Sequence, residues 1–122
     1  MSTEPSVFTR IINRELPADI VFEDEKVIVI PSIEPKAPVH LLAITKHPYL
    51  SIDELAGTES AEQKEDLWHL FQVAVDVARQ QGLASSGYRL VTNAGNDAGQ
   101  TVHHLHVHIL GGAPLGEDTL AK

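Results

Sequence analysis

The run His103-His104-Leu105-His106-Val107-His108-Ile109-Leu110-Gly111-Gly112 holds the side chains best suited to chemistry in this 122-residue chain. Residues alternate sides along an extended strand, so the spacing predicts His104, His106 and His108 on one face and Leu105, Val107 and Ile109 on the other. Neighbouring imidazoles would stand about 6.5–7 Å apart and the outer pair about 13 Å apart. The opposite, apolar face is what a strand laid on a core requires. A row of imidazoles adds nothing to such packing, which marks the stretch as a site.

Two chemistries suit it. The first is metal binding, because imidazole is a common ligand and two histidines at i, i+2 plus a third can hold zinc, with His40 or His103 as further donors. One zinc ion cannot bridge the outer pair of a straight row at about 2 Å per bond, so no metal is assigned; adventitious zinc in a purified sample is expected at most. The second is phosphoryl chemistry, in which a neutral imidazole attacks phosphorus while a second group holds its other nitrogen in one tautomer. Charge spreading over the non-bridging oxygens calls for nearby donors. The upstream loop offers them: Gly95 and Gly99 permit a concavity of backbone N–H groups, and Asn93, Gln100 and Thr101 add side-chain donors.

These residues need a scaffold. Residues 7–15 carry apolar positions at helical spacing and end at Leu16-Pro17, predicting a short helix. Residues 20–22 and 27–30 predict a hairpin across a charged turn, and Pro31, Pro35 and Pro38 an extended loop outside the ladder. A third strand is expected over residues 40–45. Ser60 and Gln63 fit a capping box opening a long helix that ends before Gly82, with Trp68 or Leu70 exposed on an otherwise polar face as a possible interface residue. Residues 87–92 give a fourth strand and the histidine run a fifth. The expected class is α+β, an antiparallel sheet of about five strands with one short N-terminal and one long helix. The strand order is not readable from the pattern. One domain is expected over 1–122, with a core at 7–112 and an acidic tail at 113–122.

A formal charge of −8 without a dense basic cluster argues against nucleic-acid polymers and anionic membranes as partners. The chain has no cysteine, which removes thiolate chemistry and disulfides. No signal-like start and no long apolar run are present, so a cytoplasmic protein is expected.

The segment His104-Leu-His106-Val-His108-Ile-Leu110 resembles the His-φ-His-φ-His-φ-φ signature of the histidine triad (HIT) family. Residues 7–18, 21–24, 35–40 and 87–112 are similar to its Hint-like branch of purine nucleoside phosphoramidate hydrolases. The resemblance implies a homodimeric hydrolase of purine nucleoside 5′-phosphoramidates, needing no cofactor and binding AMP- or GMP-like nucleotides. By the same resemblance His106 is the nucleophile, His104 orients it with His40 extending the relay, and His108 contacts the phosphate. Asn93, Thr101 and Gly99 match phosphate or leaving-group contacts. Val7, Phe8, Ile11, Ile30 and Ile33 match the purine wall.

Ser32 stands where relatives usually carry an aspartate that grips the ribose, so weaker ribose discrimination is expected. The tail lacks the tryptophan-proline ending of many relatives, so leaving-group preference does not carry over. His47 reads as a surface residue, His69 as a helix-face residue, and His103 points away from the triad. The alternatives are a dinucleoside polyphosphate hydrolase using the same nucleophile, or a non-catalytic nucleotide sensor.

Overall fold

The computed structural model describes residues 5–117. Its elements in chain order are α1 (Val7–Ile12), β1 (Phe22–Glu23), β2 (Val27–Pro31), β3 (Val39–Thr45), α2 (Ala61–Gln80), β4 (Tyr88–Val91) and β5 (His106–Gly111). Two 3-10 turns, Ile52–Leu55 and Asn96–Ala98, were not foreseen from the sequence pattern. The strands form one antiparallel sheet in the order β1-β2-β3-β5-β4. This is the α+β arrangement expected, and it supplies the strand order that the pattern withheld.

Register decides which side chains share a face. Ile28 pairs with Ile44 and Ile44 with His106, while Ile30 pairs with Leu42 and Leu42 with His108. His40 pairs with Leu110, so His40, His106 and His108 lie on one side of the two central strands. That side carries a small core of Phe8, Ile28, Ile30, Leu42 and Ile44, with Ile11 and Ile12 of α1 packed on it. The opposite side, with Val29, Ala43, Val107 and Ile109, meets Leu70, Val73, Ala74, Val77 and Ala78 of α2. Apolar covers on both sides explain why β2 reads as the unbroken run Val27-Ile-Val-Ile30 rather than as alternation.

The helix ends follow capping chemistry. Ser60 Oγ accepts the Gln63 amide at 3.2 Å, as the capping box requires. The return arm goes elsewhere: Gln63 Oε1 accepts the Thr58 hydroxyl, and the Ser60 amide donates to Thr58 Oγ1 at 3.2 Å. Gly82 takes φ 79°, the left-handed conformation that lets the chain leave α2 without a Cβ penalty. Ser6 caps α1 by accepting the Thr9 amide at 3.1 Å.

Several boundaries differ from expectation. α1 stops at Ile12 rather than near residue 15, since Arg14 adopts φ 64°. Pro31 belongs to the ladder as the last residue of β2, opposite Leu41; its missing N–H costs nothing at a strand end, and the Ser32 amide resumes bonding to His40 O at 2.9 Å. Leu70 is fully buried, whereas Trp68 is 65% exposed. The histidine strand begins at His106, so His103 to Leu105 precede the sheet. Of the acidic tail, residues 118–122 lie outside the described residues.

Candidate active site

Four imidazoles are buried together: His40 on β3, His106 and His108 on β5, and His104 just before β5. They are not the evenly spaced row of an ideal strand. The His106 and His108 rings stand 5.0 Å apart and the His40 and His108 rings 5.2 Å apart. His104 is held off the strand, with its side chain clamped between Thr45 and Ser6.

Hydrogen-bond partners fix the tautomers. A carbonyl oxygen only accepts, so each ring nitrogen facing one carries the proton. His106 Nδ1 lies 2.6 Å from His104 O, which makes Nδ1 the donor and leaves the lone pair on Nε2. His104 Nε2 lies 2.6 Å from Thr45 O and donates there. The Lys36 amide donates to His40 Nδ1 at 3.0 Å, so the His40 proton sits on Nε2 and points to His108 Nδ1, 2.9 Å away. His108 in turn carries its proton on Nε2. Among the described residues that Nε2 is the one buried side-chain polar atom with no hydrogen-bond partner. A nucleophilic lone pair on His106 and an unsatisfied donor on His108 thus sit on adjacent rings of one face.

Burial also keeps the rings neutral. It lowers the pKa of His40, His104, His106 and His108, because an imidazolium loses its hydration there. His108 is pushed down to about 3, with His106 and His40 adding repulsion. Neutral imidazole is the form that attacks phosphorus. The fixed bonds leave Nε2 of His106 and Nε2 of His108 as the ring nitrogens uncommitted by them, fewer than a structural zinc site uses. Among the described residues no three His, Cys, Asp or Glu side chains converge as a metal set.

The relay differs from the one that the resemblance implied. His40 extends to His108, not to His104. The orienting group on His106 is the backbone carbonyl of His104, while the His104 ring bonds elsewhere. The register explains both: His40 lies two residues along β3, on the same face, from Leu42, the partner of His108, and His104 has no ladder position.

The predicted contact residues divide. Gln100 is buried and turned inward: Oε1 accepts the Gly95 amide at 2.8 Å, and Nε2 donates to Leu50 O at 2.8 Å and Val102 O at 3.1 Å. It closes the loop rather than presenting its amide outward. The Gly99 amide likewise goes to Asn96 O at 2.9 Å, with Gly99 in the left-handed region at φ 83°. Thr101 is exposed, and Asn93 follows β4 half-buried. Ser32 Oγ accepts the Glu34 amide at 3.2 Å, which leaves its hydroxyl proton to donate. Phe8 stands edge-on to His106 at 5.0 Å and to His104 at 5.8 Å, and is buried, as is Ile30. Ile11 is half-buried beside them, while Val7 is 43% and Ile33 97% exposed.

Sequence reasoning missed Ser6, Thr45, Thr92 and the Lys36 amide. Thr92 Oγ1 donates to His106 O at 2.8 Å, steadying the strand beneath that ring. Only Ser6 left a signal, as a serine directly ahead of a helical apolar pattern. His69, read as a helix-face residue, places Nε2 2.6 Å from Asp24 Oδ2 and ties α2 to the β1–β2 turn.

Known proteins resemble this chain in sequence and fold. The HIT-domain family model matches residues 13–115. The chain is 41% identical over 113 residues to the purine nucleoside phosphoramidase of Escherichia coli strain K12, covering 93% of this chain and 92% of that protein. It is 42% identical over 116 residues to the adenylylsulfatase HINT1 of Arabidopsis thaliana, covering 93% and 76% respectively. Its fold superposes with a TM-score of 0.85 on a HIT family hydrolase from Clostridium thermocellum, at 46% identity, over 98% of this chain and 100% of that one.

Proposed function

Because the chain belongs to the HIT-domain family of hydrolases, we propose that it cleaves the P–N bond of purine nucleoside 5′-phosphoramidates through a nucleotidyl-His106 intermediate. The observation that carries this reading is the pairing of His106, with Nδ1 committed to His104 O, and His108, with an unpartnered Nε2–H. His106 Nε2 attacks phosphorus, the P–N bond breaks, and the departing nitrogen takes up a proton. Water then attacks the same phosphorus, the P–Nε2 bond breaks, and a proton is released. The first step consumes a proton and the second returns one. His108 acts as a neutral donor to a phosphoryl oxygen, since a ring that is neutral throughout the physiological range stabilises charge rather than supplying it. As His106 becomes cationic its Nδ1–H···O=C bond to His104 strengthens, a gain confined to the charged state.

The purine is assigned to the apolar surface of α1 and the β2–β3 loop, where Val7 and Ile33 are exposed. Thr101 and Asn93 are assigned to the phosphate side. A homodimer and a cytoplasmic setting belong to the same proposal. Among the described residues no helix is long and apolar enough to cross a membrane. Sedimentation at low concentration giving monomer alone would remove the dimer.

The test is turnover of adenosine 5′-phosphoramidate, adenosine 5′-phosphosulfate and diadenosine polyphosphates, with and without chelator, for the native protein and His106→Ala. Phosphoramidate cleavage that is indifferent to chelator and lost in His106→Ala is expected. Preference for the diadenosine substrates would make this a dinucleoside polyphosphate hydrolase, and binding without turnover a nucleotide sensor.

A further inference from the structure

The nucleophile's own anchor is an irregular piece of chain. His104 precedes β5, its amide donates to Val102 O at 2.9 Å in a tight turn, and its carbonyl receives His106 Nδ1–H. The peptide that aims His106 therefore lies outside the β3–β5 ladder; its N–H, that of Leu105, donates to Tyr49 O at 2.7 Å, and the His104 side chain adds ties to β3 and α1. That side chain is held at both ends. Nε2 donates to Thr45 O at the end of β3, and Nδ1 lies 2.6 Å from Ser6 Oγ at the head of α1.

The direction of the second bond follows by elimination. Thr45 O only accepts, so Nε2 carries the proton, and the neutral ring leaves a bare lone pair on Nδ1. At 2.6 Å the Ser6 hydroxyl has to be the donor. The same oxygen accepts the Thr9 amide at 3.1 Å, so Ser6 caps the helix and pins the histidine at once. Thr9 Oγ1 stands 3.4 Å from the same ring nitrogen, a second hydroxyl from the first turn of α1.

We infer that Ser6 is a positioning residue for His106: by donating to His104 Nδ1 it completes a two-ended clamp on the residue whose carbonyl fixes the nucleophile's tautomer and aim. Ser6 lies 98 positions from His104 in sequence and ahead of the matched residues 13–115. Its contribution grows along the reaction, because the carbonyl it steadies carries more of the load once His106 is cationic. The kinetic part rests on the proposed phosphoryl chemistry; the clamp does not.

Capping and clamping are separable. Glycine is tolerated at an N-cap at a cost of only a few tenths of a kcal/mol but has no hydroxyl, whereas threonine keeps both functions. The experiment records ring-nitrogen NMR spectra of substrate-free protein, and kcat and KM on adenosine 5′-phosphoramidate, for native protein, Ser6→Thr and Ser6→Gly. The native spectrum is expected to show His104 with Nε2 protonated and Nδ1 bare. Ser6→Thr should keep that pattern and stay within about twofold of native kcat. Ser6→Gly should shift the His106 Nδ1–H resonance and lower kcat about tenfold, the size of one net hydrogen bond, with KM within about twofold. Unmoved His106 signals in Ser6→Gly overturn the inference, and so does native kcat in that variant. A native spectrum with His104 protonated at Nδ1 overturns it without any variant. If the native protein turns over no phosphoramidate, the proposed function fails, and the spectra still decide the clamp.

Discussion

Acidification from pH 7.5 to pH 4.5 should destabilise this protein well before its carboxylates protonate. His40, His104, His106 and His108 are buried, and burial lowers the pKa of each from the ordinary 6.5. A histidine of that kind is neutral in the fold and takes up a proton on unfolding. Below pH 6.5 the unfolded chain binds more protons than the folded one, so stability is intact above 6.5 and falls as pH drops, until the folded pKa is reached. For His108 that lower limit is about 3. One such group costs about 1.4 kcal/mol per pH unit, so His108 alone removes about 3 kcal/mol between pH 6.5 and 4.5. The other three act in the same direction over windows set by their own lowered values.

That loss is a large fraction of the about 5–15 kcal/mol by which domains are stable, and it lowers a urea midpoint by about 1–2 M. Glu23, Asp24 and Asp66 are held below ordinary carboxylate values by Lys46 and Arg14, by backbone amides and His69, and by Tyr49 and Lys26 respectively, against the opposing cost of burial. Their stabilisation is lost only at lower pH, which keeps the two windows apart. The assay is urea unfolding at half-unit pH steps, with the slope read as protons taken up. His108→Asn should reduce that uptake by one proton near pH 5. A free energy that stays level or rises between pH 6.5 and 4.5 refutes the neutral buried cluster, and with it the lone pair on His106.

Three further outcomes follow from individual contacts. His40→Leu removes the donor that fixes His108, so the His108 ring can turn over; turnover of adenosine 5′-phosphoramidate should fall about 10–100-fold, and an unchanged rate would show that the His40–His108 bond is idle. Gln100→Ala strips hydrogen bonds from Gly95, Leu50 and Val102 and should cost about 2–4 kcal/mol in chemical unfolding; a loss below 1 kcal/mol would mean that water replaces the clamp. Ser32→Asp should strengthen binding of AMP relative to its 2′-deoxy analogue by about tenfold in calorimetry, through a charged bidentate acceptor, and an equal affinity change for both ligands would detach residue 32 from the ribose.

The sequence carried the large elements because their signals are local. α2 announced itself through Ser60, its apolar spacing and Gly82, and β5 through alternation from His106 onward. The triad signature and its flanks sufficed to place the chain in its family. Boundaries failed where a single residue decides them: Arg14 in the left-handed region ended α1 early, and Pro31 stayed in the ladder because a strand end needs no further donor there.

Histidine types and their spacing are properties of the chain, so the sequence by itself determined which imidazoles are the candidates for the proposed chemistry. Which nitrogen of each ring carries a proton is not such a property. It depends on partners supplied from elsewhere in the fold: Ser6 at the head of α1, Thr45 at the end of β3, and the Lys36 amide in the β2–β3 loop. The register of β3 against β5 set His40 on His108 rather than on His104, and burial between two layers kept the rings neutral. A spacing rule reads neighbours along one strand, whereas tautomer and charge answer to neighbours in space, and only the tertiary structure brought those together.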